Sequence, residues 1–326
     1  MSSFPFRRMR RLRQNSAMRE MLAETRLTRH GLVQPLFVCD GEGQERPIES
    51  LTGQAQFSSD RIGDRAKQIQ DAGVPAVILF GVPDQKDSHG SGSVDPEGVV
   101  PRSVRAIREA APDLMIIGDV CLCEFTDHGH CGILAGQDVD NDATIKILAQ
   151  QAEVLASAGC DIVAPSAMAD GQVQAIRERL DATSHSNVLI LSYAAKYASA
   201  FYGPFREAAQ STPEHGDRRG YQMDQRNSRE ALQEVALDID EGADIVMVKP
   251  GLPYLDIVSK IYDSFEVPVA AYHVSGEWAQ IQAAADRGWI DGDQAYLESL
   301  DALKRAGSSI IVTYGAEKAV SLIEKR

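Results

Sequence analysis

The sequence predicts an α/β protein, a (β/α)8 TIM barrel behind an extended N-terminal arm, on three observations. Eight short apolar runs recur along the 326-residue chain. A helical pattern, or a loop and then a helix, follows each run. No break in composition supplies the linker that two separate domains would need. The expected division is an arm over 1–31 and one catalytic barrel over 32–326.

The opening residues carry Arg7, Arg8, Arg10, Arg11, Arg13 and Arg19 before any strand signal. An Arg-rich, acid-poor opening also fits a transit peptide. The net charge of −14 favours a basic arm lying on an acidic neighbouring subunit. LVQPLFVCD (32–40) reads as the first strand, and 59–72 as a helix with a serine or aspartate N-cap. PAVILFGV (75–82) is the second strand, followed by a Gly-, Ser- and Asp-rich loop over 83–98 and a helix over 101–111. DLMIIGDVCLC (113–123) is the third strand, helix 142–158 follows, and CDIVAPS (160–166) is the fourth. Helix 170–182 leads to NVLILSYAA (187–195), the fifth. Residues 197–226 show no periodicity and are rich in Tyr, Gly, Pro and Arg, which suits an active-site lid. Helix 227–241 leads to ADIVMV, the sixth strand, stopped by Lys249-Pro250-Gly251. Helix 253–264 precedes the seventh strand, VPVAAYHVS (267–275). Helices at 277–287 and 292–305 precede the eighth, SSIIVTYG (308–315), and a last helix closes the chain.

Composition narrows the function. Apolar content of 44% and charged content of 25% suit a soluble globular chain. No apolar run approaches the ~20 residues of a membrane span, and the acidic balance argues against nucleic acid as a partner. Five cysteines, three of them within eleven residues, are no disulfide framework. They point to a reducing, cytoplasmic setting with one metal or redox site.

A barrel works at the carboxyl ends of its strands. Those ends carry Asp119, Cys121 and Cys123, then Ser166, Lys196, Lys249, Ser275 and Tyr314. Alone, Lys249 reads as a strand-end charge snorkelling to water. Beside Lys196 on the next strand it becomes a candidate Schiff-base former, because adjacent ammonium groups lower each other's proton affinity. A lysine paired with a carboxylate such as Asp119 is the simpler alternative. Cys121, Cys123 and Cys131 form C-x-C-x7-C around His128 and His130, and clustered thiolates favour zinc. Three ligands with an open position would be catalytic, and a histidine in fourth place would make the site structural. Cys39 and Cys160 read as small core residues. Arg206, Arg218 and Arg219, with Gln222, give the lid carboxylate-binding forks if they are not simply solvated ion pairs. Beside two amines, those forks suggest a keto acid.

These residues sit in RRLR (10–13), GDVCLCEFTDHGHCG (118–132), VAPSAMADG (163–171), SYAAKYASAFYGPFR (192–206), GDRRGYQMD (216–224), GADIVMVKPGLPYLDI (242–257), AYHVSGE (271–277) and IIVTYGA (310–316). Together they span nearly the whole chain, which resembles the porphobilinogen synthase, or 5-aminolevulinate dehydratase, family. The resemblance implies condensation of two 5-aminolevulinates to porphobilinogen in tetrapyrrole (heme) biosynthesis. Lys249 would form the Schiff base with the first substrate, whose carboxylate meets Ser275 and Tyr314. Lys196 would hold the second, with Arg206, Arg218 and Gln222 on its carboxylate and Asp119 and Ser166 near its amine. Cys121, Cys123 and Cys131 match the family's zinc type. Glu234 matches the position of an allosteric magnesium ligand, and assembly would be a homo-octamer built through the arm. Two departures stand out: TGQAQFSSD (52–60) lacks the proline and basic residue expected there, and Gly220 replaces a cysteine of some zinc members. A class I aldolase-like lyase would explain Lys249 but leave Lys196 and the cysteines idle. A zinc-stabilised scaffold would explain the cysteines but not the lysines.

Overall fold

The computed structural model describes residues 6–326, so the first five residues of the expected arm lie outside it. Eight parallel strands form the barrel: β1 (Leu32–Cys39), β2 (Ala76–Val82), β3 (Met115–Val120), β4 (Ile162–Pro165), β5 (Leu189–Lys196), β6 (Ile245–Lys249), β7 (Val269–His273) and β8 (Ile310–Thr313). Each pairs with the next, and Leu32↔Ile311 and Val33↔Val312 join β1 to β8 and close the ring. β2 is buried along its whole length, because a barrel strand is covered by side chains inside and helices outside.

The helices bury one stripe each. In Val99–Ala110 it comprises Val100, Val104 and Ile107, a spacing that keeps one face inward. The helix Asn141–Ala158 starts where the Asp140 side chain accepts from the Ala143 N–H, and it ends at Gly159, whose φ of 112° suits glycine alone. That helix lies close on β3. A Cβ on Gly118 would stand 2.9 Å from Leu155 Cδ1 and 3.1 Å from Cys160 Sγ. Gly118→Val is therefore expected to cost about 2 kcal/mol by overpacking, read as a lower urea midpoint. An unchanged midpoint would mean that the helix can withdraw from β3. Cys39 and Cys160 are buried as core residues, and burial pushes both thiols up.

Several pieces escape sequence periodicity. An antiparallel pair, Glu45–Pro47 with Ala55–Ser58, attaches to the end of β1 through Phe37↔Gln56. A second small pair, Leu134–Ala135 with Asp138–Val139, follows the cysteine loop. The arm holds a turn of 3-10 helix, Met9–Arg13, and a helix, Ser16–Met21, capped by Asn15. Residues 197–226 contain a helix at Gly203–Ala208, too short to show a pattern. Ser166, Ser275 and Tyr314 each sit just past a strand end, and Ser275 opens the helix Ser275–Asp286.

Candidate active site

β5 and β6 deliver the two lysines side by side, and a bulge makes this possible. Ser192 pairs with Val246, but Ala195 pairs with Val248 and Lys196 with Lys249, so β5 holds one extra residue between those rungs. Were the same residues paired from Ser192 onward without the bulge, Ala195 would stand opposite Lys249, and Lys196 would project from the opposite face, because facing alternates along a strand. The Tyr193 ring lies under both amines, 5.0 Å from Lys249 Nζ and 5.5 Å from Lys196 Nζ. Three more rings close on Lys249: Tyr272 at 4.2 Å, Phe205 at 4.9 Å and Tyr202 at 5.4 Å.

The two amines, each 5% exposed, titrate differently. Burial, then the Lys196 charge, brings Lys249 down to about 7, against the pull of Asp119 and Glu124. Desolvation thus outweighs the attraction of the surrounding rings and carboxylates. Burial lowers Lys196 as well, but the charges of Cys131, Cys121, Cys123 and Asp119 together hold it above its ordinary value. The expected mutual lowering therefore holds for Lys249 alone. Lys196 also donates to the Ser166 carbonyl at 2.5 Å. Asp119 is raised to about 7 by burial and by Glu124, while both lysines and the Ser166 hydroxyl, which donates to its Oδ2 at 3.1 Å, pull it down. A carboxyl and an amine that both exchange protons near neutrality suit general acid–base work.

Cys121, Cys123 and Cys131 are buried free thiols whose sulfurs all lie within 4.8 Å of one another. Sulfurs around one zinc at ~2.3 Å stand about 3.8 Å apart, so this set fits a metal with little movement. Burial lifts Cys121, while Cys123 is lifted first by its contact with Cys121. Cys131 is held well below the usual thiol range by hydrogen bonds from those two thiols and by Arg218 and Lys196. The histidines expected as possible ligands turn elsewhere. His128 Nε2 faces the Ser88 carbonyl, and His130 faces Tyr221 and the His215 carbonyl.

Segment 197–226 lies across the strand ends. Tyr197 N–H donates to the Lys249 carbonyl, and Met223 N–H to that of Lys196. Buried Arg218 donates to the carbonyls of Gly129 and Ser211, tying the segment to the cysteine loop. Arg219, its neighbour, is exposed and ion-paired with Asp217, the solvated alternative. A cavity of ≈340 Å³ is lined by Arg206, Arg218 and Gln222. Among the described residues, Arg206 Nε, Arg218 Nε, both amide atoms of Gln222 and Asp119 Oδ1 are buried without a hydrogen-bond partner. Buried polar atoms normally find partners, so this concentration marks a site shaped for a polar ligand. Ser275 Oγ accepts from Phe205 N–H at 3.0 Å, and the Tyr314 hydroxyl meets that of Tyr272 at 3.2 Å. A larger cavity, ≈390 Å³, runs from Cys131 and Gln222 to Asp170, Glu230 and Glu234. Burial and those carboxylates raise Glu234.

Sequence reasoning missed Glu124, a buried carboxylate 3.3 Å from Cys123 Sγ that acts electrostatically on Asp119 and Lys249. Its place inside the cysteine loop was the available signal. It also missed the aromatic cage, whose rings come from β5, the stretch that follows it and β7, and share no local pattern.

A model of the family described as delta-aminolevulinic acid dehydratase matches residues 6–322. The chain is 50% identical over 325 residues to the delta-aminolevulinic acid dehydratase of Synechocystis sp., covering 98% of this chain and 99% of that one. It is 45% identical over 314 residues to the Bacillus subtilis protein of the same name, covering 96% and 97%. The crystal structure of the Toxoplasma gondii delta-aminolevulinic acid dehydratase (porphobilinogen synthase), in complex with the reaction product porphobilinogen, superposes with a TM-score of 0.94. That pair is 43% identical, over 96% of this chain and 90% of the other.

Proposed function

The chain belongs to the delta-aminolevulinic acid dehydratase family, and on that premise we propose that it condenses two 5-aminolevulinates to porphobilinogen, releasing two waters, through Schiff bases on Lys249 and Lys196. The observation that carries this reading is the pair of buried lysines in register on β5 and β6, one of them near neutrality. The neutral amine of Lys249 attacks a ketone directly, whereas Lys196, held protonated by its neighbours, must first give its proton to a base. Lys249 holds the first substrate as an imine, its water leaving, and the carboxylate of that substrate meets Ser275 and Tyr314. Lys196 holds the second, whose carboxylate is bound by Arg206, Arg218 and Gln222. The unpartnered atoms of those three residues support that role. Asp119 and Ser166 flank the amino group of the second substrate, and Asp119 shuttles protons between bond-forming steps.

Zinc is the metal that Cys121, Cys123 and Cys131 suit, and when bound it supplies Lewis acidity or a lowered water pKa. Glu234, with Asp170 and Glu230 beside it, is the reading for an activating magnesium; burial raises its carboxyl first, and a divalent cation would relieve the repulsion that adds to it. The arm, over 1–31, serves assembly into a homo-octamer. Phe6, Met9, Leu12, Met21 and Leu22 are exposed on it and would be covered in such an assembly. Residues 197–226 act as the lid of a catalytic barrel over 32–326. A cytoplasmic setting suits the free thiols. Among the described residues no helix is long and apolar enough to cross a membrane.

Borohydride trapping with 5-aminolevulinate, followed by peptide mapping, is expected to label Lys249 in a zinc-containing protein that forms porphobilinogen. No adduct on either lysine would sink the Schiff-base reading. An adduct on Lys249 without porphobilinogen would favour an aldolase-like lyase.

A further inference from the structure

Glu277 is fully buried in the first turn of the helix Ser275–Asp286 and lies outside every role assigned above. One oxygen accepts the Val274 N–H at 2.5 Å, the return bond that caps its own helix. A cap needs nothing more. The other oxygen reaches into the loop leaving β6 and accepts the Leu252 N–H at 2.6 Å. One carboxylate thus ties two neighbouring loops, one bound three residues after Lys249 and the other leading into Ser275.

The surrounding backbone leaves those loops little freedom. A Cβ on Gly251 would fall 3.0 Å from the Tyr272 carbonyl, and one on Gly276 would fall 2.6 Å from that of Phe201. The Lys249 carbonyl is fixed from the other side by the Tyr197 N–H at 2.9 Å and the Tyr202 hydroxyl at 3.1 Å. With its neighbours so fixed, the separation between the Lys249 strand end and Ser275 depends on the link between their two loops. Buried hydrogen bonds of this kind are stiff and costly to break.

We propose that Glu277 is a positioning and specificity-determining residue: by joining the loops after β6 and β7, it sets the distance between the Lys249 amine and the Ser275 hydroxyl, and so selects ketones that carry a carboxylate at that distance. It rests on the reading of Lys249 as Schiff-base lysine and Ser275 as carboxylate contact. Glutamine at 277 keeps the size but replaces one acceptor oxygen with an NH2 donor, which releases one of the two loops.

The test compares borohydride trapping on Lys249 by 5-aminolevulinate and by aminoacetone, an aminoketone without the carboxylate. In Glu277→Gln the 5-aminolevulinate rate is expected to fall by about 100-fold, the scale of an ångström of misplacement. Aminoacetone trapping is expected to change little, since it needs only the amine. An equal loss for both ketones would make Glu277 a support of the fold or of the lysine alone, and no loss for either would remove it altogether; both results overturn the proposal. Absence of any Lys249 adduct in the unaltered protein would instead overturn the Schiff-base reading. If Glu277→Gln does not fold, Glu277→Asp, too short to span both loops, is expected to show the same selective loss, and failure of both to fold would overturn the proposal.

Discussion

Lys249→Met is expected to abolish porphobilinogen formation and, at neutral pH, to raise the melting temperature. Loss of turnover follows from removing the amine that attacks the first ketone. The gain in stability follows from the depressed proton affinity. Lys249 sits at about 7 in the fold, against an ordinary value of 10.5. Over that interval the unfolded chain holds a proton that the folded chain gives up, so the residue destabilises the fold below its unfolded value. The cost is greatest below about pH 7, on the order of 5 kcal/mol, and fades as pH rises toward 10.5. Methionine fills the ring-lined space without that cost. The measurement is a pair of melting curves for Lys249→Met and the unaltered protein at pH 7 and pH 10. The advantage of the variant should shrink at the higher pH. Retained turnover, or a variant that melts lower at both pH values, would remove Lys249 from the role assigned to it.

Metal removal is expected to end turnover while the barrel stays folded. The three thiols lie just beyond β3 and in the loop after it, whereas the ring of strands is closed by pairings that none of them makes. Burial raises Cys121, contact with Cys121 raises Cys123, and hydrogen bonds from those two lower Cys131. Zinc takes thiolates, so binding is expected to expel the protons that the thiols still hold. Zinc affinity should therefore rise with pH. Calorimetry in buffers of different ionisation enthalpy reads this directly. A release of none, or melting of the fold on chelation, would contradict the arrangement of the three thiols.

The strands were readable because a barrel strand is covered on both faces and leaves an unbroken apolar run, as in AVILFGV. The strand-end rule then brought Lys196, Lys249, Asp119 and the cysteines to one mouth. Their protonation was not readable. The opposite shifts of the two lysines depend on which charges each one faces, and those charges come from β3, the cysteine loop and Glu124. Arg218 and Arg219 are indistinguishable by type and adjacent in the chain, yet one is buried against two carbonyls and the other lies in solvent. Only the resemblance separated them. The hairpin Glu45–Ser58 was lost for another reason: its strands are short, the first ends at Pro47 and Gly53 lies in the connection, so no alternation develops.

The extra residue in β5 gives the mouth its second amine as a matter of parity. Between the rungs Ser192↔Val246 and Ala195↔Val248, β5 takes three steps and β6 takes two. An odd difference exchanges each residue offered to the mouth for its neighbour, so the same residues paired without the bulge would present the methyl of Ala195 and turn the amine of Lys196 away. The sequence of chemical groups would not change. A mouth with two amines can hold two ketones at once and join them; a mouth with one holds a single ketone. On the reading of both lysines as Schiff-base formers, whether this barrel couples two copies of its substrate or handles one thus turns on one irregular step in the pairing of two strands.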